Sequence, residues 1–451
     1  MNNRKESDKS QFYRTLAALV IPIVIQNFIT NAVNSADVLM LGYVGQSELS
    51  AVSLANQFQF LIGGFFFGIA SGVTMLASQY WGKKDTDAIQ TVMGIAIKLG
   101  LALTTVVAIG AVGFPYFMMR IYTNDTELIT IGAGYLRIIG LSYVLMSFSQ
   151  VYLCTLRSIE QAQISAMISA TALILNVLLN AVFIFGLLGA PKLGVTGVAI
   201  ATLVARLVEV VLCLVHAISG KAFKIHIGRM FANNMLLFQD FLKYSIPALL
   251  NDMSWTVAFS MYSVILGHMN ADVVAASSVA TTVRDLCSIV CFAISSGVSV
   301  MLGIEIGEGR MEDAKKDARR SCLLTFAVGV LTGLVILAMR PFVFHFFDLT
   351  QRANSYLNFM LLISTYYVIG QAMNTLVIVG IFRSGGDSRF GLICDTITMW
   401  CVSLPLGFLS AFVFKLPPMV VYFILCLDEF WKVPVVYKHY KSYKWLRDIT
   451  R

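Results

Sequence analysis

An aspartate at position 37 sits near the end of an otherwise apolar run, IPIVIQNFITNAVNSADVLML, at 21–41. Placing a carboxylate at a bilayer centre costs about 2.5–3.5 kcal/mol, and less toward the interface, so such a group normally faces a cavity or a partner and has a task. The chemistry open to it is uptake and release of a proton, or neutralisation of a bound cation. Asn176 and Asn180 stand four residues apart in a second apolar run, one helical turn on the same face. Their amide oxygens, with the Thr202 hydroxyl, could join Asp37 in an oxygen cage for a hard cation such as Na⁺. The competing reading of each asparagine is hydrogen bonding between helices. Asp252, Asp395 and Asn374 are further polar residues in apolar surroundings. Asp252 follows Pro247 by five residues, and a proline frees a carbonyl and bends a helix.

The elements that must position these groups are membrane helices. The chain has 451 residues, 57% hydrophobic and 13% charged, and a soluble protein would carry roughly twice that charged share. Apolar runs recur that could cross a hydrocarbon core of about 30 Å. They are continuous rather than alternating, which predicts helices, not a barrel. Twelve are expected, near 14–40, 50–80, 90–116, 129–156, 163–187, 195–219, 237–267, 273–304, 318–345, 353–382, 388–414 and 418–438. All eight cysteines fall inside these runs, so no disulfide frame is expected. The first run is longer than a signal h-region and lacks a small-residue cleavage site, so no cleaved leader is expected.

Of the 33 Lys and Arg, 24 fall in the N-terminal tail, every second loop and the C-terminal end. Five fall in the alternate loops, and Lys98, Arg137, Arg206 and Arg284 are embedded. An even number of spans with both termini cytoplasmic fits this bias. The net charge of +8 therefore reads as membrane topology, and no nucleic-acid partner is expected.

Residues 22–82 align without a gap on 247–307, 225 positions on. Pro22 meets Pro247, Leu41-Gly42 meets Leu266-Gly267, and FGIASGV at 67–73 meets FAISSGV at 292–298. One inserted residue later, Leu156-Arg157-Ser158 meets Phe382-Arg383-Ser384. Six spans per copy is an even number, so the repeats are parallel and related about the membrane normal. The expected domains are an N-terminal lobe at 1–219, a linker at 220–236 and a C-terminal lobe with a short tail at 237–451. The basic linker could lie on the inner leaflet or be solvated. The repeat sets Tyr262 opposite Asp37 and Asp252 opposite Asn27, so the lobes are not chemically equivalent.

Pro22 with NSADVLMLGYVG (34–45), SQYWGKKDTD (78–87), LRS (156–158), NVLLNAVFIFG (176–186), GVTGVAIAT (194–202), GIEIGEGRMEDA (303–314), FRSGGDSRF (382–390) and DEFWK (428–432) occur in this order across the chain. Together they resemble the multidrug and toxic compound extrusion family, in the branch typical of Gram-positive bacteria. The resemblance implies two six-helix lobes facing across a V-shaped cavity. It also implies a monomer in the bacterial plasma membrane, exporting organic, often cationic, drugs in exchange for H⁺ or Na⁺, with no cofactor. It places Asp37 at the family's first-span carboxylate, which binds the coupling cation. The family often has Asp where this chain has Asn180, so one negative charge is missing here and proton coupling stays open beside sodium. In the second lobe the resemblance implies substrate or second-ion binding for Asp252 and a gating role for Asp395, with Asn374 a weaker cavity residue.

Two rivals remain: a flippase for lipid-linked saccharides of the same superfamily, against which the few embedded bases argue, and a channel. An enzyme is the least expected, for no nucleophile–base spacing or metal set stands out. Arg206 is expected to pair with Glu209, and Asp428, Glu429 and Lys432 to neutralise one another within one turn.

Overall fold

The computed structural model describes residues 2–219, 227–230, 234–346 and 349–451, and among them there are helices and no strand. The linker reading at 220–236 therefore falls largely outside the described residues. In chain order the helices are α1 (Asn2–Val44), α2 (Gln46–Gly82), α3 (Thr86–Gly113), α4 (Pro115–Arg120), α5 (Thr126–Ser158), α6 (Ala162–Phe185), α7 (Gly194–Ser219) and α8 (Ile227–Met230). They continue as α9 (Met235–Gly267), α10 (Ala271–Gly307), α11 (Met311–Phe346), α12 (Gln351–Thr375), α13 (Ser388–Thr396), α14 (Leu404–Phe408), α15 (Pro418–Leu425) and α16 (Asp428–Lys441). Wider π-turns extend α12 over Leu376–Phe382 and join α13 to α14 over Ile397–Ser403, with a third at Leu409–Val413.

Among the described residues, ten helices are long and apolar enough to cross a membrane. The other two expected spans are α9, which is 33 residues long but carries Asp240, Lys243 and Asp252, and the pair α15–α16, broken at Cys426-Leu427. Twelve spans in a repeated arrangement are thus consistent with the fold. The helix starts are set locally. Asp85 accepts from the Ala88 amide, Asp125 from those of Glu127 and Leu128, Asn270 from Asp272 and Thr350 from Ala353. Each satisfies backbone donors that a helix start leaves free.

The chain divides into two compact units. One comprises Ile21–Leu242; the other takes the turns up to Val20 together with Lys243–Arg451. In the first, α5 packs against α2, α3 and α7, and α6 against α7. In the second, α12 plays the corresponding part against α10 and α11. The opening turns of α1 belong with the second repeat: Leu16 and Val20 meet the backbone of Gly297, and the Arg320 guanidinium lies over the Phe12 ring. Both unit boundaries fall within five residues of the repeat-equivalent prolines, Pro22 in α1 and Pro247 in α9.

Candidate functional site

In the first unit the α6–α7 hairpin brings the polar residues together. Gly186 ends α6 in the left-handed conformation at φ 71°, which a side chain rarely adopts, and Leu193 donates back to the Phe183 carbonyl at 2.9 Å. Gly197 lies so near Phe183 that a Cβ would come within 2.6 Å of its side chain, so α7 can lie close along α6. Thr202 on α7 then meets Asn176 on α6, whose Nδ2 donates to Thr202 Oγ1 at 3.1 Å. One turn on, Asn180 Nδ2 donates to Asn176 Oδ1 at 3.3 Å and to Asp37 Oδ1 at 2.8 Å. Thr202 in turn donates to the Val198 carbonyl at 3.0 Å. The four residues singled out by type and spacing are one hydrogen-bonded chain. Asn180 is fully buried and its Oδ1 has no partner.

This chain borders a cavity of about 360 Å³ within the first unit, with Asp37, Asn176 and Thr202 on its wall. Several other polar groups on the wall are already engaged. Tyr135 donates to Asn56 at 3.1 Å, and Glu209 receives Arg206 at 2.7 Å and Ser149 at 3.0 Å. The expected Arg206–Glu209 pair is therefore present. Among the described residues no basic side chain lies within ion-pair distance of Asp37. The expected cage of oxygens takes a different form here. Asn180 turns its NH₂, not its oxygen, toward the carboxylate, because a carboxylate offers only acceptors.

The second-unit candidates fall into a different network. Asp252 is held by both ends of the Arg383 guanidinium, at 2.6 and 3.2 Å, and Arg383 also donates to Asn251 at 3.1 Å. Asn251 donates to Asp395 at 2.7 Å, and Asp395 pairs with Lys432 at 2.9 Å. Lys432 lies 3.4 Å from Glu429, to which Asn374 donates at 2.8 Å. All three second-lobe candidates are thus tied to buried partners. Two counts from the sequence need correction. Arg383 and Lys432, assigned to a loop and to the C-terminal end, are only 4% and 2% exposed and serve as internal counter-ions. The cluster at the start of α16 also does not neutralise itself alone. Lys432 serves Glu429 and Asp395, while both oxygens of Asp428, 0% exposed, lack a hydrogen-bond partner.

Sequence reasoning missed Asn56 and Gln59 on the first cavity's wall and Arg383 in the second unit. The signal for the first pair was present: two amides one turn apart on an apolar helix. Nothing local distinguishes Arg383 from a solvated loop base.

Two helical repeats, each with polar side chains gathered among long apolar helices, are the pattern of a membrane transporter. The MatE family profile matches residues 22–182 and again 247–409, and the chain belongs to this family, the bacterial multidrug and toxic compound extrusion transporters. It is 24% identical over 454 residues to the Bacillus subtilis (strain 168) protein described as "Uncharacterized transporter YisQ", covering 98% of this chain and 97% of that one. To a "Probable multidrug resistance protein NorM" of Geobacillus kaustophilus it is 24% identical over 398 residues, covering 88% and 87% of the two chains. Among solved structures, "Crystal structure of MATE in the bent conformation" superposes with a TM-score of 0.86 at 17% identity, covering 96% of this chain and 95% of that one. A second, described as an outward-facing multidrug resistance MATE transporter, gives 0.84 at 18% identity over 95% and 96%.

Proposed function

We propose that this protein is a secondary active efflux antiporter of the bacterial plasma membrane, exporting organic, often cationic, compounds in exchange for H⁺ or Na⁺. The relatives described as multidrug resistance proteins support the cargo class. The observation that carries the coupling is the Asp37–Asn180–Asn176–Thr202 chain on a cavity wall, with no basic side chain among the described residues within ion-pair distance of the acid. An ionised Asp37 accepts the Asn180 NH₂. A proton arriving on Asp37 removes the charge that bond serves. A sodium ion would instead need oxygen, and half a turn of the Asn180 amide exchanges its NH₂ for the unpartnered Oδ1. Either event alters the packing of α1 against α6, which is where occupancy can bias two conformations. The driving force is about 2.3 kcal/mol per charge for each 100 mV, plus the ion gradient.

The test is export of a fluorescent organic cation from proteoliposomes, with pH and sodium gradients applied separately. One of the two gradients is expected to drive export by the parent. A protein that moves drug equally without either gradient would overturn antiport. Binding of a lipid-linked saccharide with no drug-dependent ion flux would favour the flippase instead.

A further inference from the structure

The second unit carries a cavity of about 270 Å³ built on the repeat-equivalent wall. Six lining positions of the first cavity recur 225 residues on: Asn34 as Phe259, Asp37 as Tyr262, Leu41 as Leu266, Val52 as Ser277, Asn56 as Thr281 and Gln59 as Arg284. The scaffold repeats, but the sign of its chemistry changes. The acid becomes a phenol and an amide becomes a guanidinium.

Arg284 is 6% exposed. Its Cζ lies 5.1 Å from the Tyr367 ring centroid and 5.7 Å from that of Phe259. Such ring faces hold a cation but accept no conventional hydrogen bond. The one carboxylate within ion-pair distance, among the described residues, is Asp285 at 3.6 Å, beyond hydrogen-bond length, and its side chain is 62% exposed. Arg284 Nε and the Tyr367 hydroxyl have no hydrogen-bond partner, while the Tyr262 hydroxyl is directed at Ser403 and that of Tyr422 at Ser364 and Cys426; all three tyrosines are buried on the same cavity. A guanidinium has five N–H donors and no acceptor, and a phenol can turn its O–H to suit. Each buried donor left unmade costs about 1–3 kcal/mol. An anion with several acceptor oxygens satisfies the guanidinium and the Tyr367 hydroxyl together. Trp255 and Phe259, with ring centroids 4.3 Å apart, supply an apolar wall for whatever carries it.

We infer that the second-unit cavity binds a carboxylate or phosphate borne on an aromatic or apolar body, with Arg284 as the ion-pairing residue. As a substrate subsite this rests on the transport reading, and it widens the cargo to organic acids and zwitterions. As a binding site it stands independently. The same chemistry has two sources, a free organic acid and an anionic lipid headgroup.

The experiment is equilibrium dialysis of the full chain in phosphatidylcholine nanodiscs against 2-naphthoate and the neutral 2-naphthylmethanol, with empty nanodiscs subtracted. The parent is expected to bind the acid at least tenfold more tightly than the alcohol. Arg284→Met is expected to abolish that preference while leaving the alcohol unchanged, and Tyr367→Phe, which keeps the ring and removes only a hydroxyl, to weaken the acid severalfold. The second variant keeps the test valid where the first fails to fold. Displacement of naphthoate by short-chain phosphatidic acid but not by benzoate assigns the site to lipid headgroups, and the reverse assigns it to organic acids; both support the anion site. Equal binding of acid and alcohol by the parent, or a preference that survives in Arg284→Met, overturns it. Because the readout is binding and not transport, its failure leaves coupling at Asp37 untouched, and a failed coupling test leaves this result standing.

Discussion

Asn180 spends both amide hydrogens, one on Asp37 and one on Asn176, and so ties the carboxylate of α1 to the polar face of α6. A hydrogen bond to a charged group is worth about 1.5–3 kcal/mol, so its loss changes ion binding roughly tenfold or more. The sign depends on the ion. Asn180→Ala removes a donor that favours ionised Asp37, so proton-driven export should become half-maximal at lower proton concentration. If sodium is the ion, the same change removes an oxygen ligand, and half-maximal export should need more sodium. Titrating the driving ion in proteoliposomes separates the two. In the second unit, Lys432→Met strands Asp395 and Glu429, both buried. Breaking a buried pair on one side costs about 3–5 kcal/mol. Thermal unfolding in detergent should show a clear loss of stability, part of it restored by adding Asp395→Asn. Asp37, Asn176, Asn180 and Thr202 could be read from the sequence, because an acid in an apolar run and two amides one turn apart are local patterns. The partners of Asp252 and Asp395 could not, because Arg383 and Lys432 lie 131 and 37 residues away along the chain and look like loop or tail bases.

Helices in lipid approach closely only where side chains are small. Gly333 of α11 shows the constraint, for a Cβ there would lie 2.4 Å from the Thr365 carbonyl oxygen of α12. Backbone cannot swing aside as a flexible side chain can, so Gly333→Ala must part the two helices. Overpacking of this kind costs about 1–3 kcal/mol, and the melting temperature should fall while Gly63→Ala, in open space, leaves it unchanged. Gly82 and Gly307, which close α2 and α10, could be read from the sequence as helix ends. The π-turns could not. Leu376–Phe382 directly precedes Arg383, and Ile397–Ser403 begins two residues after Asp395. In runs that are apolar on every side, no polar stripe reveals the change of pitch. Wider turns of this sort gather at functional sites, and here they flank the charged network. The break at Cys426-Leu427, which splits the last expected span into α15 and α16, was hidden for the same reason.

At the scale of the molecule, two copies of one helical pattern carry different chemistry. The repeat was readable because prolines, glycines and small residues hold the same places in both copies, where backbone geometry demands them. The chemical divergence was visible only in part, as Tyr262 opposite Asp37. That Gln59 and Arg284 occupy matching cavity walls needed the folded chain. The account rests on the cavity-wall acid Asp37, whose repeat mate is Tyr262. The most direct measurement is export of a fluorescent organic cation from proteoliposomes by the parent and by Asp37→Asn, with and without an inward gradient of the driving ion. Parent export should rise severalfold with the gradient, and the Asn variant should stay at its ungradiented rate while retaining drug binding. A variant that responds to the gradient as fully as the parent would contradict the assignment of coupling to Asp37.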